Sequence, residues 1–344
     1  MRFLSRLFIA VVTLSAALTA QTLQGTWTAE RSEKEPDSLH MQFHTHGERG
    51  WMMGDSIRVS ELQGLSLEAL KSTGADENFS LHRDAGVVQF KGHFRDGNGV
   101  GEWTFAENPE YKADMAKQGY AGVSTKKMFE LAIIDVSRAY AREIRDLGFK
   151  PSLDGLIEAR IFKVNREQVE GMRAAGFEHL ALDKLVELRV HEVTPEYIRK
   201  MRAAGFDVPL DKLIETKMFN VTPEFRQDMA ALGYPDLSTD KLIEFRVHEI
   251  TPEFVKQMGD LGFSHLSADD LVQARIFKVN ASQVQQLKDV GYSGLTLDQL
   301  VQFRVHGIGP DFVRKVQQAG HQHPSVDDLV EMRIMGIPKA VAMY

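Results

Sequence analysis

The chain has 344 residues, no cysteine, and 41 Lys and Arg against 48 Asp and Glu, for a formal net charge of −7. The lack of thiols excludes disulfides, thiol catalysis and cysteine-ligated metals, and an acidic chain without a Lys- or Arg-rich block is a poor match for nucleic acid. Stability must come from burial, for which this length is ample.

Met1–Ala20 carries Arg2 and Arg6 and then an apolar run, Leu7–Ala20, broken only by Thr and Ser. A basic start before an apolar stretch too short to span a bilayer comfortably predicts a secretory signal peptide over residues 1–20, with a retained anchor as the alternative. The mature chain is therefore expected in the periplasm or outside the cell. Nothing after this segment is long and apolar enough to enter a membrane.

Residues 21–106 read as an antiparallel β module, a small sandwich or half-barrel. LHMQFHTH (39–46), VVQFKGHFR (87–95) and VGEWTF (100–105) alternate or are rich in β-formers. The last two flank Asp96-Gly97-Asn98-Gly99, a hairpin signal. Alternation puts Val88, Phe90 and Phe94 on one face and Gln89, Lys91, His93 and Arg95 on the other. Leu65–Ser72 reads as one helical excursion. No linker separates Phe105 from the helical region, so the module is expected to cover the open end of its first repeat.

From 107 to 344 a two-part pattern returns every 28 or 29 residues, with its glycine at Gly119, Gly148, Gly176, Gly205, Gly233, Gly262, Gly291 and Gly320. Such a period predicts an α-solenoid of about eight two-helix repeats, and the whole chain is of the α+β class. The first helix of each repeat opens at Asn108, Ser137, Asn165, Thr194, Thr222, Thr251, Asn280 or Gly309, mostly residues suited to an N-cap. Pro follows at 109, 195, 223, 252 and 310, where its missing N–H costs nothing. The second helix carries apolar pairs such as Leu213-Ile214 and Leu242-Ile243. A helix pair this short buries its apolar stripe only by stacking on its neighbours.

Three sets of side chains are candidates for chemistry. His40, His44 and His46 share one face of a strand, a geometry open to zinc or copper, although no third ligand is fixed by spacing and they are expected to be the solvated face of a half-buried sheet. A basic column, Arg160, Arg189, Lys217, Arg246, Arg275, Arg304 and Arg333, recurs in the second helices. It either grips an acidic partner or lays its stems along the neighbouring repeat. Two residues later Phe and His alternate: Phe162, His191, Phe219, His248, Phe277, His306 and finally Met335. The Phe side of that slot argues for at least half burial, and His191, His248 and His306 then line a groove or fill space near helix ends. His191-Glu192 and His248-Glu249 do not form a zincin helix, because Pro195 and Pro252 occupy the place of the second histidine. No catalytic residue and no cofactor is called for.

The stretch FKGHFRDGNGVGEWTFAENPEYKADMAKQGY (90–120), with the copies TPEYIRKMRAAGF (194–206) and TPEFVKQMGDLGF (251–263), resembles the extracytoplasmic region attached to some bacterial metallopeptidase antirepressors of the beta-lactam-regulator type. The multi-span membrane domain and the His-Glu-x-x-His motif of those proteins have no counterpart here, so peptidase activity does not carry over. The resemblance implies a free-standing sensing or interaction module outside the cytoplasm. The expected function is non-enzymatic binding of a protein or cell-envelope component. The alternative is a small-molecule or metal-binding β module with the repeats as scaffold.

Overall fold

A computed structural model describes residues 22–45, 51–71 and 73–337. Residues 1–20, read above as a signal peptide, lie outside them, as does His46. Seven strands come first: β1 (Thr22–Arg31), β2 (Ser38–Thr45), β3 (Met52–Arg58), β4 (Leu62–Gln63), β5 (Thr73–Arg83), β6 (Gly86–Arg95) and β7 (Asn98–Glu107). They form one curled antiparallel sheet in the order β3-β2-β1-β7-β6-β5-β4. The hairpin between β6 and β7 turns on Asp96 and Gly97, both at positive φ (52° and 82°), as a two-residue turn matched to strand twist requires. Of the predicted excursion Leu65–Ser72, the described residues 65–71 hold only a short 3-10 turn, Ala69–Lys71.

The inner face of the sheet is aromatic. Trp27 and Trp103 each donate an indole N–H to a carbonyl of the other's strand, Trp27 to Glu102 and Trp103 to Thr26, both at 3.0 Å. Gly101 lies opposite Trp27, and a Cβ there would come within 2.8 Å of the Trp27 ring nitrogen, so only glycine lets the indole lie against the strand. Phe79 and Phe90 stack at 4.8 Å beside it.

Six helices complete the first of two compact units, which ends at Glu187 within the last of them. They are α1 (Pro109–Lys117), α2 (Thr125–Ile133), α3 (Arg138–Asp146), α4 (Leu153–Ile161), α5 (Arg166–Ala174) and α6 (Leu182–Val190). Helix α2 closes the sheet's core. Phe129 stacks on Trp103 at 4.3 Å and meets Phe43 and Phe105 edge-on at 5.6 and 5.4 Å. The β module therefore shares its core with α2.

The second unit, from Leu188 on, holds α7 (Pro195–Ala203), α8 (Leu210–Met218), α9 (Pro223–Ala231), α10 (Thr239–Val247), α11 (Pro252–Asp260), α12 (Ala268–Ile276), α13 (Ala281–Lys288), α14 (Leu297–Val305), α15 (Pro310–Gln318) and α16 (Val326–Met335). The second helices of successive repeats, α8, α10, α12, α14 and α16, are neighbours in that order. Leu213, Leu242, Leu271, Leu300 and Leu329 are fully buried between them. Seven of the eight repeat openings cap their helix through a side-chain oxygen, and only Gly309 has none to offer. Each first helix stops at its glycine in the left-handed region, and the next N–H returns to the last turn, as in Phe206 to the Met201 carbonyl at 3.0 Å.

Phe129→Ala is expected to cost roughly 3–5 kcal/mol, because it empties the centre of an aromatic core shared by sheet and helix. Urea denaturation followed by tryptophan fluorescence checks this, since Trp103 loses its stacking partner. A loss below about 1 kcal/mol would mean that the sheet is held independently of α2.

Candidate functional site

Four arginines of the basic column donate to the repeat before them. Arg160 donates from Nε to the Asp135 carbonyl at 2.9 Å, Arg275 to the His248 carbonyl at 3.1 Å, and Arg333 to the His306 carbonyl at 3.0 Å. Arg304 reaches the Lys278 carbonyl at 3.1 Å and the Gln283 side chain at 3.0 Å. The last carbonyls of a helix have no partner within it, and a guanidinium placed there answers both their lone pairs and the negative end of the dipole. The same side chains lie over aromatic rings of the preceding first helix: Arg160 over Tyr140, Lys217 over Tyr197, Arg275 over Phe254 and Arg333 over Phe312. Arg189 holds the same place in α6.

A backbone conformation not read from the sequence follows the alternating Phe and His. Every second helix before the last ends in a left-handed residue, and in six of these seven it is not glycine: Asp135, Lys163, Glu192, Asn220, Glu249 and Lys278, followed by Gly307. Asp135 pairs with Arg160 at 2.7 Å, Glu192 with Lys217 at 3.7 Å and Glu249 with Arg275 at 2.7 Å. Between them stand Lys163, Asn220 and Lys278, which are not acids. At the Asn220 junction, Arg246 stacks on Phe225 at 3.7 Å, its Nε is buried without a hydrogen-bond partner, and burial pulls its guanidinium below its ordinary pKa. The fold thus repeats in pairs, and His191 and His248 belong to the junctions that carry an acid.

The alternating slot is the C-cap of the second helix. Phe162 and Phe219 are 37% and 39% exposed there, so more than half of each ring is covered. His191, His248 and His306 are likewise part-buried.

In the β module, His40 and His44 stand on the outer face of β2 beside Gln42, exposed and half-buried respectively. Among the described residues no three His, Cys, Asp or Glu side chains gather into a metal-binding group. The inner side of the sheet is tied to the first repeats by charge. Arg83 contacts Glu61 and Asp135, and Asp84 accepts from the Arg138 backbone N–H at 2.8 Å while Arg138 Nε donates to Asp114 at 3.0 Å. Asp55, across β2 from buried Met41, differs from these carboxylates. Burial raises its pKa above the ordinary value, against a bond from the Ser56 N–H at 2.8 Å and the pull of Arg83.

The remaining feature is apolar. The residue between the basic column and the Phe/His slot is aliphatic in every repeat from the second on: Ile161, Val190, Met218, Val247, Ile276, Val305 and Ile334. Six of them end a second helix and Ile334 stands one residue before the end of α16, and their exposures run from 49% (Ile161) to 62% (Ile334). Recurrence at a site that stacking does not bury sets this row apart from the scattered apolar residues of an ordinary surface. The signal was present in the sequence, one residue from each of two columns already noted, but the buried stripe masks it. No family model matches the chain, and no curated protein is similar to it.

Three variants test these assignments. Arg275→Gln is expected to lower stability by about 1 kcal/mol, through the lost donor to the His248 carbonyl, and Arg275→Lys by less, since Lys217 serves at the equivalent place. Urea midpoints give the ranking. For Asp55, a raised folded-state pKa means the ionised carboxylate opposes folding, so its favourable share is present below the unfolded value and lost as pH rises through the folded one. Asp55→Asn is expected to raise the melting temperature at pH 7, and the gain should vanish as pH falls below about 4. Equal gains at both pH values would sink this account.

Proposed function

We propose that this chain is a non-enzymatic binding module acting outside the cytoplasm, which engages a protein or cell-envelope partner through its helical repeats. The observation that carries the reading is the row of half-exposed aliphatic residues, one near the end of each second helix from α4 on. Burying apolar surface is the main driving force of association, and a row maintained through the repeats has no equivalent use within the stack. The charged side chains of the basic column support a scaffolding role, because they are occupied by backbone carbonyls of the preceding repeat and by rings on the first helix of their own. The basic and apolar start of the chain supports the location.

The test is capture from a cell-envelope extract with the full chain as bait, against Val247→Ser/Ile276→Ser/Val305→Ser. These positions are half exposed, so the variant should keep its helical spectrum and melting temperature within a few degrees. The parent is expected to enrich a partner at least tenfold over the variant. Equal capture by both would move the binding surface away from this row.

A further inference from the structure

The second unit also indicates what chemistry would sit on its aliphatic row, given the binding role proposed above. In α8, α10, α12, α14 and α16 an Asp lies seven residues before the aliphatic residue: Asp211, Asp240, Asp269, Asp298 and Asp327. A separation of seven is two helical turns, so acid and aliphatic residue share one face. A Glu or Gln lies between them, on the same side: Glu215, Glu244, Gln273, Gln302 and Glu331.

The balance of charge along this face changes from one end to the other. Lys212 bridges Glu215 and Asp240 at 2.6 and 2.8 Å, and Lys241 holds Asp269 at 2.7 Å. In the last three repeats the lysine position is Asp270, Gln299 and Asp328, each closing a capping box on its own helix. Those first turns hold no lysine to neutralise the row. The Arg of each of these helices is held by the repeat before it. Acid and apolar surface also share a concavity: Gln302 and His306 of one repeat, with Asp327, Glu331, Ile334 and Met335 of the next, line a groove of about 490 Å3.

Spacing restricts the occupant further. Helices packed in adjacent layers lie about 8–10 Å apart. A polyproline-type strand rises about 3.1 Å per residue, so three residues span one repeat. We infer that the face from Ile276 to Ile334 binds an extended, basic segment of a partner protein that carries an apolar residue at every third position. Anionic lipid is disfavoured by the same acids that favour this segment.

Fluorescence anisotropy with three labelled peptides tests the inference on the full chain: (Leu-Pro-Lys)5, (Ser-Pro-Lys)5 and (Leu-Pro-Glu)5. The first is expected to bind at least tenfold more tightly than either of the others, and more weakly as salt rises. Ile276→Ser/Val305→Ser/Ile334→Ser should remove at least tenfold of that affinity, and Asp298→Asn/Asp327→Asn/Glu331→Gln should flatten the salt dependence. Both variants must melt like the parent; should the first not, Val305→Ser alone is expected to weaken binding at least threefold. Equal binding of the Leu and Ser peptides, binding of the Glu peptide as tightly as the Lys peptide, no binding of the first peptide, or a ridge-dependent dimer by light scattering each overturns it. Were the row needed to capture a partner from extract while (Leu-Pro-Lys)5 fails to bind, the binding role would stand and only the nature of the segment would fall.

Discussion

The helical region depends on how each repeat treats the unfinished end of the one before it. A helix of nine residues leaves its last carbonyls without partners, a large share of its backbone when the element is so short. Here the next repeat supplies the donors. On the second helices they come from the basic column, at the Asp135, His248, Lys278 and His306 carbonyls. On the first helices Arg145 serves the Gln118 carbonyl, Arg173 that of Leu147, Arg226 that of Gly205 and Gln317 that of Val290. Neighbours are thus joined by directional bonds as well as by burial, which accounts for the near-constant repeat length. An insertion between helix end and donor would strand both.

The same constraint frees other positions for binding. Because the guanidiniums are fixed against the preceding repeat, the residue beside each is left at the helix end with half its surface in water. Its neighbour caps the helix, and the one after turns in the left-handed region. Three consecutive residues therefore have separate duties: Ile276 faces solvent, Phe277 caps and Lys278 turns the chain. The acids two turns earlier are bridged where the second helix before carries a lysine in its first turn, as at Asp240 and Asp269, and that lysine is missing where the turn closes a capping box, as in α12 and α14. Local capping chemistry thereby sets the electrostatics of a face that spans several repeats.

At the other end of the chain the sheet and the repeats are one piece of hydrophobic chemistry. A sheet curled on its aromatic side needs a cover, and Phe129 supplies it from within the first repeat. Arg83 with Asp135, and Asp84 with Arg138, then join the β5–β6 end of the sheet to the first helices.

The sequence by itself determined the elements and their order. Gly119 to Gly320 at a constant spacing, N-cap residues before Pro109, Pro195, Pro223 and Pro252, and the Asp96-Gly97 turn are local signals, each fixed by the conformation of one or two residues. The faces of β6, the burial of the Leu column and the shared boundary of sheet and repeats were legible for the same reason, since periodicity reports directly on which side is covered. What a column of Arg touches is not local. Whether Arg275 grips a partner or the His248 carbonyl depends on a residue 27 positions away, and the left-handed turn at Glu249 has no glycine to announce it. Only stacking decided those contacts, and with them which residue of the Arg-Ile-Phe triplet was left facing solvent.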